Sequence, residues 1–565
     1  MPVLSGAQIT MEVLVKEGVE HIFGYPGGAI MPIYDAMLDY DVHHILTRHE
    51  QGAAHAADGY ARASGKVGVA MATSGPGATN LVTGIATAML DSSPIVCITG
   101  QVPSGVIGTD AFQETDVTGV TLPITKHNYL VTEIEELADT LREAFYVARS
   151  GRKGPVLVDI AKDVQNEKID FRWNDEPVTL PGYRPDMSAG QQTFQEAADL
   201  INNAERPIIL AGHGVIASGA TTELLKFVEH TNTPLSMTLL GLGGFPASHP
   251  LNLGMMGMHG AAWVNTAIQE ADLLLAFGMR FDDRVTGNLA NYAPRAKKIH
   301  IEIDPTEIDK NVKVDIAIIG DLREMLEKLL PYTEKGKHEK WLNKIETHKK
   351  GSDARDIKYM PDMGHLYAAH VIHDIWRLTN GDALVVTDVG QHQMWETQYY
   401  HHDSPRSLIT SGGLGTMGFA LPAAMGAKLS CPDKEVWVIC GDGGFQMTAA
   451  ELTTLAQEEI DLNVAIINNG YLGMVRQWQE FFYNGRYSAT PMLSPDFVKL
   501  AEAHHATGIR VSQRKDVEPA IQKAQSTPGV VVIDFAVEKE DSVYPMVATG
   551  ADLDDMIRRP KPEDI

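Results

Sequence analysis

An aspartate and an asparagine follow two apolar runs of the sequence and could hold a metal ion between them. Asp442 stands in the segment Gly441-Asp442-Gly443-Gly444, directly after EVWVIC, and Asn469 follows NVAIIN. Magnesium takes six oxygen ligands and commonly shares them between one or two protein side chains and phosphate groups. The glycines let a phosphate approach the backbone, and a helix that begins there points its amide groups at that phosphate. We therefore predict a site for Mg²⁺ and a diphosphate.

Each half of this pattern also has an ordinary structural alternative. The segments GDGG and NNG are both common turns, and short motifs match by chance. Both halves nonetheless stand at the carboxyl ends of predicted parallel strands, where open α/β sheets bind ligands. Their joint position favours a binding site over two unrelated turns.

Glu50 is a separate candidate for acid–base chemistry. It precedes the alanine-rich helical pattern QGAAHAADGYARASG, so we expect it to lie in a largely apolar pocket that favours the protonated carboxyl group. The structural alternative is a glutamate in the first turn of a helix, where it offsets the helix dipole. On this residue alone, the structural alternative is favoured.

Nine short apolar runs predict the strands that must position these side chains. They alternate with helical patterns, which is typical of parallel sheets covered on both faces. The runs are 94–100, 155–160, 207–212, 272–278, 298–304, 383–390, 435–444, 463–470 and 530–535. We predict an α/β fold with several doubly wound parallel sheets.

Two polar stretches, 163–190 and 335–364, interrupt the alternation of strand and helix patterns. We predict that they are connectors between domains. They give domains at 1–165, 190–332 and 365–545. The polar, proline-bearing residues 546–565 predict either a frayed tail or a lid. The echo between SGPGATN and SGGLGTMG is weak evidence that the two outer domains are related.

Composition excludes several classes of function. The chain has 47 Lys and Arg residues and 73 Asp and Glu residues. The resulting net charge of −26 opposes binding to nucleic acid. The three cysteines are too few and too scattered for a disulfide framework, so we expect buried thiols in a reducing compartment. With no 18-residue apolar stretch and no basic leader before the first helical pattern, we expect a mature cytoplasmic protein and no membrane partner.

Many separate motifs in one order resemble a single family. In the first domain they are FGYPGG (23–28), RHEQ (48–51), TSGPGATN (73–80), GQVP (100–103) and GTDAFQE (108–114). LVVTDVGQHQMW (384–395), TSGGLGTMGFALPAA (410–424) and GMVRQWQEFFY (473–483) continue the pattern, and GDG…NN is similar to the thiamine diphosphate signature. The chain resembles the anabolic, FAD-containing acetohydroxyacid (acetolactate) synthase large subunits over nearly its whole length.

The resemblance implies a fold and a reaction. The fold has a pyrimidine-binding domain, a Rossmann-like central domain that carries FAD, and a domain that binds the diphosphate and Mg²⁺. The reaction decarboxylates pyruvate on thiamine diphosphate and transfers the hydroxyethyl unit to a second pyruvate or to 2-ketobutyrate. The products, 2-acetolactate or 2-aceto-2-hydroxybutyrate, begin the synthesis of valine, leucine and isoleucine.

The resemblance also implies partners. It places Glu50 of one subunit against the cofactor that Asp442 and Asn469 of another subunit hold, so the smallest active unit is a homodimer, alone or within a dimer of dimers. Members of the family commonly recruit a small regulatory subunit that senses branched-chain amino acids, so we expect one as a further partner.

The resemblance assigns site residues one by one. The residues that it places at the reacting centre are Gly28, Glu50, Phe112, Gln113, Lys162, Arg284, Met417, Met474 and Trp478. Thiamine diphosphate takes Pro26, Gly27, Glu50, Asn80, Gln113, Gly390, Gln391, His392, Gly413, Met417, Gly441, Asp442, Gly443, Gly444, Asn469, Leu472, Gly473 and Met474. The metal takes Asp442, Asn469 and the backbone carbonyl of Tyr471, and FAD takes Arg152, Gly212, Gly214, Thr238, Leu239, Gly257, Met258, His259, Gly260, Gly278, Arg280, Asp283, Arg284, Val285, Glu302, Ile303, Gly320 and Asp321.

Five of these side chains have ordinary alternatives. Met417 bends the cofactor in the family, and Phe112 lines the substrate tunnel, but either could fill a core. Arg284 offers a two-donor fork to the second carboxylate or pairs with Asp282 or Asp283. Trp478 favours 2-ketobutyrate in the family or packs in a core. Lys162 lies at the funnel to the site or is a solvated loop cation.

The central domain departs from the family at one point. Where three glycines are usual after its first strand, this chain has Ala211-Gly212-His213-Gly214, which puts that flavin contact in question. Glu302, after a later strand, suits a ribose hydroxyl as in dinucleotide folds.

Rival functions remain open at this point. A catabolic acetolactate synthase lacks flavin and usually lacks the segment RFDDR (280–284), and a flavin-linked pyruvate oxidase is an oxidoreductase. A third rival is a non-catalytic binding protein of the thiamine fold. Glyoxylate carboligase lacks the acid that Glu50 supplies here.

Overall fold

The computed structural model describes residues 2–185, 187–353, 355–359 and 364–561. Parts of the predicted connectors (186, 354 and 360–363) and of the predicted tail (562–565) lie outside the described residues. Three six-stranded parallel sheets, each flanked by helices, confirm the predicted α/β fold. No helix within the described ranges is both long and apolar enough to span a membrane.

A parallel sheet forms the centre of the N-terminal domain. Its elements in chain order are β1 (Val3–Ser5), α1 (Gly6–Lys16), β2 (His21–Tyr25), α2 (Met31–Ala36), β3 (His43–Leu46), α3 (Glu50–Ser64), β4 (Gly68–Ala72), α4 (Pro76–Asn80), α5 (Val82–Leu90), β5 (Ile95–Gln101), α6 (Val117–Thr121), β6 (His127–Val131), α7 (Ile134–Arg149), β7 (Val156–Ala161), α8 (Lys162–Asn166) and β8 (Lys168–Asp170). The sheet order is β3-β2-β4-β5-β7-β6, and β1 pairs separately with β8. Every residue of β4, β5 and β7 is buried, as expected of strands covered on both faces.

The central domain repeats this plan. Its elements are α9 (Gln191–Asn203), β9 (Pro207–Ala211), α10 (His213–Ala217), α11 (Thr221–Thr231), β10 (Leu235–Met237), β11 (Asn252–Met255), α12 (Ala262–Glu270), β12 (Leu273–Phe277), α13 (Asp283–Thr286), β13 (Lys297–Glu302), β14 (Ile316–Ile319) and α14 (Leu322–Leu329). The strand order is β11-β10-β9-β12-β13-β14, all parallel. Helix α15 (Glu339–Asp353) follows in the predicted connector and buries Trp341 against this domain.

The C-terminal domain holds the third sheet. Its elements are α16 (Ala368–Leu378), β15 (Leu384–Thr387), α17 (Gln391–Tyr399), β16 (Leu408–Thr410), α18 (Ala420–Ser430), β17 (Val436–Gly441), α19 (Asp442–Thr448), α20 (Glu451–Gln457), β18 (Leu462–Asn468), α21 (Gly473–Phe482), α22 (Phe497–Ala503), β19 (Thr507–Val511), α23 (Val517–Ser526), β20 (Val530–Ala536), β21 (Met546–Val547) and β22 (Met556–Ile557). The order is β16-β15-β17-β18-β20-β19, all parallel. The carboxyl ends of β15, β17 and β18 therefore share one edge.

The two outer domains of the chain pack through α3 and α18. A Cβ on Gly59 would lie 1.9 Å from the carbonyl oxygen of Ala423, and one on Gly426 would lie 1.8 Å from that of Ala56. Only glycine fits such a backbone approach, so these positions fix how closely the helices pack. The first residue of α3 is Glu50, which places this acid beside the inter-domain contact.

The segment after residue 545 packs on the central domain as far as it is described. Strands β21 and β22 pair antiparallel, and the Val547 amide donates to the carbonyl of Met258. Leu553 is buried in the same cluster as Val285, and Asn288 donates to Asp552. These contacts hold residues 546–557 against the central domain rather than leaving them frayed.

Candidate active site

A pocket opens at the shared edge of β15, β17 and β18. Ligand sites in open α/β sheets lie at this edge. Its lining residues are Val389, Gly390, Gln391, His392, Trp395, Met417, Gly441, Asp442, Gly443, Gly444, Ile467, Asn469, Tyr471, Leu472, Gly473, Met474 and Val475. All but Val389, Trp395, Ile467 and Val475 are residues that the sequence assigned to thiamine diphosphate or its metal.

The predicted metal ligands come together because their strands are neighbours. Gly441 and Ile467 are register partners in β17 and β18, so Asp442 and Asn469 follow at the same edge. Ser494 donates to Asp442 Oδ2 at 2.9 Å, and Asn469 Oδ1 accepts from the Tyr471 amide at 3.1 Å. Asp442 is 1% exposed, and burial raises its pKa while the Ser494 hydrogen bond opposes the rise. A buried carboxylate beside an amide oxygen suits the hard oxygen preference of Mg²⁺.

Two buried nitrogens in the pocket lining have no partner among the described residues. They are Trp395 Nε1 and His392 Nε2. Burial lowers the pKa of His392 to about 3, against a hydrogen bond to the Asp388 backbone, so the ring is neutral at pH 7. An unpartnered buried polar group costs about 1–3 kcal/mol, so the Trp395 N–H is expected to donate to a polar ligand such as a diphosphate oxygen, whereas the unprotonated His392 Nε2 can only accept a hydrogen bond. The pocket therefore fits a bound diphosphate cofactor.

Gly473 occupies a position that has no room for a side chain. A Cβ there would stand 2.1 Å from Gln391 Oε1 and 2.6 Å from Asn469 Nδ2. Those two side chains hydrogen-bond each other at 3.1 Å, and Gln391 also donates to Gln477. The hydrogen bond from Asn469 to Gln391 sets the orientation of the Asn469 side chain. Only glycine at position 473 leaves room for that arrangement.

Glu50 lies in a second cluster, at the carboxyl ends of β2 and β4. Its Oε2 accepts from Asn80 Nδ2 at 2.9 Å, and its Oε1 stands 3.3 Å from where a Cβ on Gly77 would lie. The Thr73 side chain packs against both Gly77 and Gly27. A Cβ added to Gly27 would lie 2.5 Å from it. Glu50 is buried in the first turn of α3. The first-domain residues Pro26, Gly27, Glu50 and Asn80 thus share one edge.

Phe112 and Gln113 belong to the loop beside this cluster. Phe112 is 89% exposed, so it does not pack in a core of this chain. Gln113 has φ 60°, and its backbone would lie 2.7 Å from a Cβ on Gly75. A left-handed glutamine held against a glycine is a strained arrangement of the kind that clusters at functional sites.

The two clusters do not meet within one chain. No described residue of 2–165 lines the pocket that holds Asp442 and Asn469. Gly28 is exposed beside the Glu50 cluster and Lys162 begins α8 half-buried. Gly413 also stands outside the pocket, because its amide donates to Asp91 of the N-terminal domain.

The residues assigned to FAD gather at the carboxyl edge of the central sheet, with Arg152 reaching it from the first domain. Gly212, Thr238, Gly278 and Gly320 follow β9, β10, β12 and β14, and Glu302 ends β13. Burial raises the pKa of Glu302 to about 7, opposed by the Asp304 and Ile303 amides that donate to it. The remaining assigned positions lie in the loops and short helices beside them: Gly214, Leu239, Gly257, Met258, His259, Gly260, Arg280, Asp283, Arg284, Val285, Ile303 and Asp321.

Two details of this edge bear on a flavin. A Cβ on Gly212 would lie 2.4 Å from the Gly278 carbonyl oxygen, so these glycines serve close backbone packing. His213, which departs from the family pattern, turns its ring toward the Leu240 carbonyl at 3.3 Å. Arg152 pairs with Asp304 and Glu307 at 3.1 and 3.0 Å, so its guanidinium already has two carboxylate partners.

Arg284 and Trp478 come together although they lie in different domains. The guanidinium stands 5.9 Å from the centre of the indole ring, and its Nη1 lies 3.6 Å from Met258 Sδ. The alternative pairing, with Asp283, is a 3.7 Å contact between exposed groups, which contributes little. Trp478 is half-buried in α21, whose first residues line the pocket. A cation beside an aromatic face suits a carboxylate with a short apolar tail.

The structure adds residues that the sequence analysis missed. Ser494 bonds Asp442 from 52 positions away, and no motif in its neighbourhood indicates that contact. Trp395 stands four residues after Gln391 on α17, so helical spacing within LVVTDVGQHQMW could have identified it. Asp388 and Asp91, which hold the loop around Met417, carry no sequence signal of that role.

Comparison with known proteins agrees with this geometry. Three families match in order: the N-terminal TPP binding domain of thiamine pyrophosphate enzymes at 4–120, their central domain at 194–329, and their C-terminal TPP binding domain at 388–535. Thiamine pyrophosphate is the same compound as thiamine diphosphate, so that predicted cofactor is confirmed.

Relatives similar to nearly the whole chain share one name. The acetolactate synthase large subunit of Corynebacterium glutamicum is 49% identical over 98% of this chain and 90% of its own length. Isozyme 3 of Escherichia coli is 44% identical over 98% and 99%. A probable large subunit from Methanocaldococcus jannaschii is 47% identical over 98% and 95%. The chain therefore belongs to the acetolactate synthase large-subunit family of thiamine pyrophosphate enzymes, and its activity is that of an acetolactate synthase.

Proposed function

We propose that this acetolactate synthase joins pyruvate to either of two acceptors, a second pyruvate or 2-ketobutyrate, giving 2-acetolactate or 2-aceto-2-hydroxybutyrate. The supporting observation is the pairing of Arg284 with Trp478 beside the pocket. A guanidinium binds the carboxylate of a 2-ketoacid, and the indole face packs against its alkyl group. One methylene is worth only about 0.8 kcal/mol, so preference for 2-ketobutyrate also requires a fitted shape. The reaction begins branched-chain amino acid biosynthesis.

The residues around the cofactor have distinct tasks. When bound, thiamine diphosphate supplies the nucleophilic carbon and the electron sink for decarboxylation. Asp442, Asn469 and the Tyr471 carbonyl would hold Mg²⁺, and the unpartnered N–H of Trp395 would donate to the bound cofactor. Glu50 would hydrogen-bond the cofactor through Oε1, while Asn80 donates to Oε2. The apolar surroundings of α3 would exclude water from this contact.

Other pocket residues shape the reacting space. Met417 and Leu472 both lie close to Gly443, within 3.6 and 2.9 Å of where its Cβ would be. Met417 and Met474 thus form an apolar wall that excludes water and orients the cofactor. We assign Gly28, Phe112, Gln113 and Lys162 to the substrate side, which the exposure of Phe112 in a single chain supports.

We also propose that two copies share each active site. The Asp442 pocket takes its described lining from the C-terminal domain alone, while Glu50 lies in a separate cluster of the N-terminal domain. A second copy that brings its Glu50 edge to this pocket would complete both. The domains would be 1–165, 190–332 and 365–545, in a homodimer or a dimer of dimers.

FAD and a small regulatory subunit are further parts of the proposal. The central edge formed by Gly212, Thr238, Gly278, Glu302 and Gly320 supports a flavin, which would make this an anabolic enzyme rather than a catabolic one. The three relatives described above are all named large subunits, which supports a small subunit that senses branched-chain amino acids. We assign the enzyme to the cytoplasm. An oxidised-flavin absorbance spectrum of the purified protein tests the FAD assignment.

The function is tested by product analysis. Purified protein receives pyruvate, with and without 2-ketobutyrate, while thiamine diphosphate, Mg²⁺ and FAD are omitted in turn. We expect acetohydroxy acid products that require thiamine diphosphate and Mg²⁺, with 2-aceto-2-hydroxybutyrate dominating when both acceptors are present. Anaerobic bleaching of the flavin by pyruvate without acetolactate would instead identify an oxidase.

A further inference from the structure

Buried groups hold the loop of residues 411–418 on both sides of Met417. Downstream, both carboxylate oxygens of Asp388 accept from the Gly418 amide at 3.0 Å. Upstream, Asp91 Oδ1 accepts from the Gly413 amide at 2.6 Å and Oδ2 accepts from Gly412 at 3.2 Å. Met417 lies between these anchors and faces Gly443. Its position is therefore set by how the loop is held.

The upstream anchor belongs to the N-terminal domain of the same chain. Asp91 is 2% exposed and pairs with Arg62 at 2.8 Å, and Arg62 Nη1 donates to the Thr410 carbonyl at 2.7 Å. Asp58 binds the same guanidinium at 2.6 Å. Burial alone would lower the pKa of Arg62, but the two carboxylates outweigh it and raise that pKa, so the cation is kept.

A third contact ties the loop to the same domain. Thr87 Oγ1 and Thr416 Oγ1 are hydrogen-bonded at 2.7 Å, one residue before Met417. Both side chains are buried. Helix α5 and the residue that ends it, Asp91, thus hold the loop at two separate points.

The loop needs such anchors because its own sequence, rich in glycine, allows many backbone conformations. Gly412, Gly413, Gly415 and Gly418 supply four of its eight positions, and the last two have φ of 72° and 86°. Glycine loses more conformational freedom on ordering than any other residue. Leu414 at the tip is exposed and gives no packing of its own.

A buried ion network is not by itself evidence of function. Such networks often stabilise a fold no better than apolar residues would. Here, however, the carboxylate of Asp91 is aimed at two loop amides and the guanidinium of Arg62 at the carbonyl of Thr410 just before them. The inter-domain hydrogen bonds of the Arg62 and Asp91 side chains fall on residues 410–413, just before Met417.

We propose that Asp91 and Arg62 are positioning residues, through which the N-terminal domain places Met417 against the bound cofactor. The inference rests on the proposed contact between Met417 and thiamine diphosphate. Because Asp58 and Arg62 lie on α3, the network also fixes the loop relative to the helix that begins at Glu50.

The test is a double-mutant cycle in the holoenzyme. The variants are Asp91→Asn, Met417→Ala and the pair, with Asp374→Asn as the control. Asp374 is another buried carboxylate paired with arginines, but neither it nor its partners Arg377 and Arg514 line the pocket. The measurements are the half-saturating thiamine diphosphate concentration, kcat at saturating cofactor per folded protein, and Tm of the cofactor-free protein.

We expect Asp91→Asn to lower kcat and raise the half-saturating cofactor concentration by about tenfold each, since charge-assisted bonds to the loop weaken. Asp374→Asn lowers Tm but keeps kcat. In the Met417→Ala background, Asp91→Asn has little further effect on kcat, because both changes act through one side chain.

Each other outcome overturns a distinct statement. If Asp91→Asn changes Tm alone, or lowers kcat equally without Met417, the positioning role is wrong. If Met417→Ala leaves kcat and cofactor saturation unchanged, the proposed role of Met417 itself is wrong. Thr416→Val decides the question if Asp91→Asn does not fold: it removes only the bond from Thr87 and should lower kcat by about two- to tenfold.

Discussion

Replacing Gly473 with alanine tests the geometry of the metal site most sharply. The added methyl carbon would lie 2.1 Å from Gln391 Oε1, about 1.3 Å short of ordinary contact, and 2.6 Å from Asn469 Nδ2. Gln391 cannot simply withdraw, because its amide nitrogen donates to Gln477 at 2.9 Å and to the Asp541 carbonyl at 3.2 Å. The collision must therefore displace Asn469, which we assign as a metal ligand.

The magnitude follows from what each state can tolerate. Without the metal, the Asn469 side chain can turn away at the loss of its hydrogen bond to Gln391, about 1 kcal/mol. With the metal bound, Asn469 must stay in place, and overpacking of this kind costs about 1–3 kcal/mol. The middle of that range exceeds the lost hydrogen bond by about 1 kcal/mol, which corresponds to roughly fivefold weaker Mg²⁺ binding, since 1.36 kcal/mol is tenfold.

The assay is a Mg²⁺ titration at saturating thiamine diphosphate. Intrinsic fluorescence reports binding because Trp395 lines the pocket. The control is Gly190→Ala, where an added Cβ meets nothing within 4 Å. If folded Gly473→Ala enzyme binds Mg²⁺ within about twofold of wild type, the placement of Asn469 at the metal is wrong.

Three further predictions concern the second substrate, acid stability and domain packing. Trp478→Leu should lower the preference for 2-ketobutyrate over pyruvate by up to about fourfold in competition assays, since contact with one methylene is weakened; an unchanged product ratio would contradict the assigned subsite. Because burial lowers the pKa of folded His392 to about 3 while the unfolded residue titrates near 6.5, stability is full above pH 6.5 and falls as pH drops below it. At pH 5 the cofactor-free wild type should have lost about 2 kcal/mol more than His392→Gln, and equal losses in denaturation would refute this. Gly59→Ala, whose methyl would meet the Ala423 carbonyl at 1.9 Å, should cost about 1–3 kcal/mol, seen as a lower Tm beside an unaffected Gly190→Ala.

The sequence identified the fold class and the C-terminal pocket because both rest on local patterns. All nine predicted apolar runs are strands, and the residues after two of them, Asp442 and Asn469, meet because parallel neighbours end at one edge. Strands β2 and β4 were not predicted, since HIFGY and GVAMA contain glycine and are short. Their carboxyl ends carry the Glu50 cluster, which only the family motifs indicated.

What the sequence could not predict depends on contacts between distant elements. The donation of Ser494 to Asp442 crosses 52 positions, and Arg284 reaches Trp478 from another domain. The Asp91 network exists only because α3 and α18 pack closely at Gly59 and Gly426. No periodicity or short motif encodes such pairings. The tail is similar: its polarity predicted either a frayed tail or a lid, and only the structure shows that Leu553 packs in the central core.

Mixing two inactive variants tests most directly the claim that one active site combines Glu50 of one copy with Asp442 and Asn469 of another. The two variants are Glu50→Gln and Asp442→Asn. Each is first assayed alone, and the two chains are then co-expressed in equal amounts. The measurement is the acetolactate formed per dimer. Each variant alone should be inactive. The mixture should recover about one quarter of wild-type activity, because half of the dimers are mixed and each carries one intact site. If mixed dimers form and remain inactive, the acid and the metal anchor act within a single chain and the account is wrong.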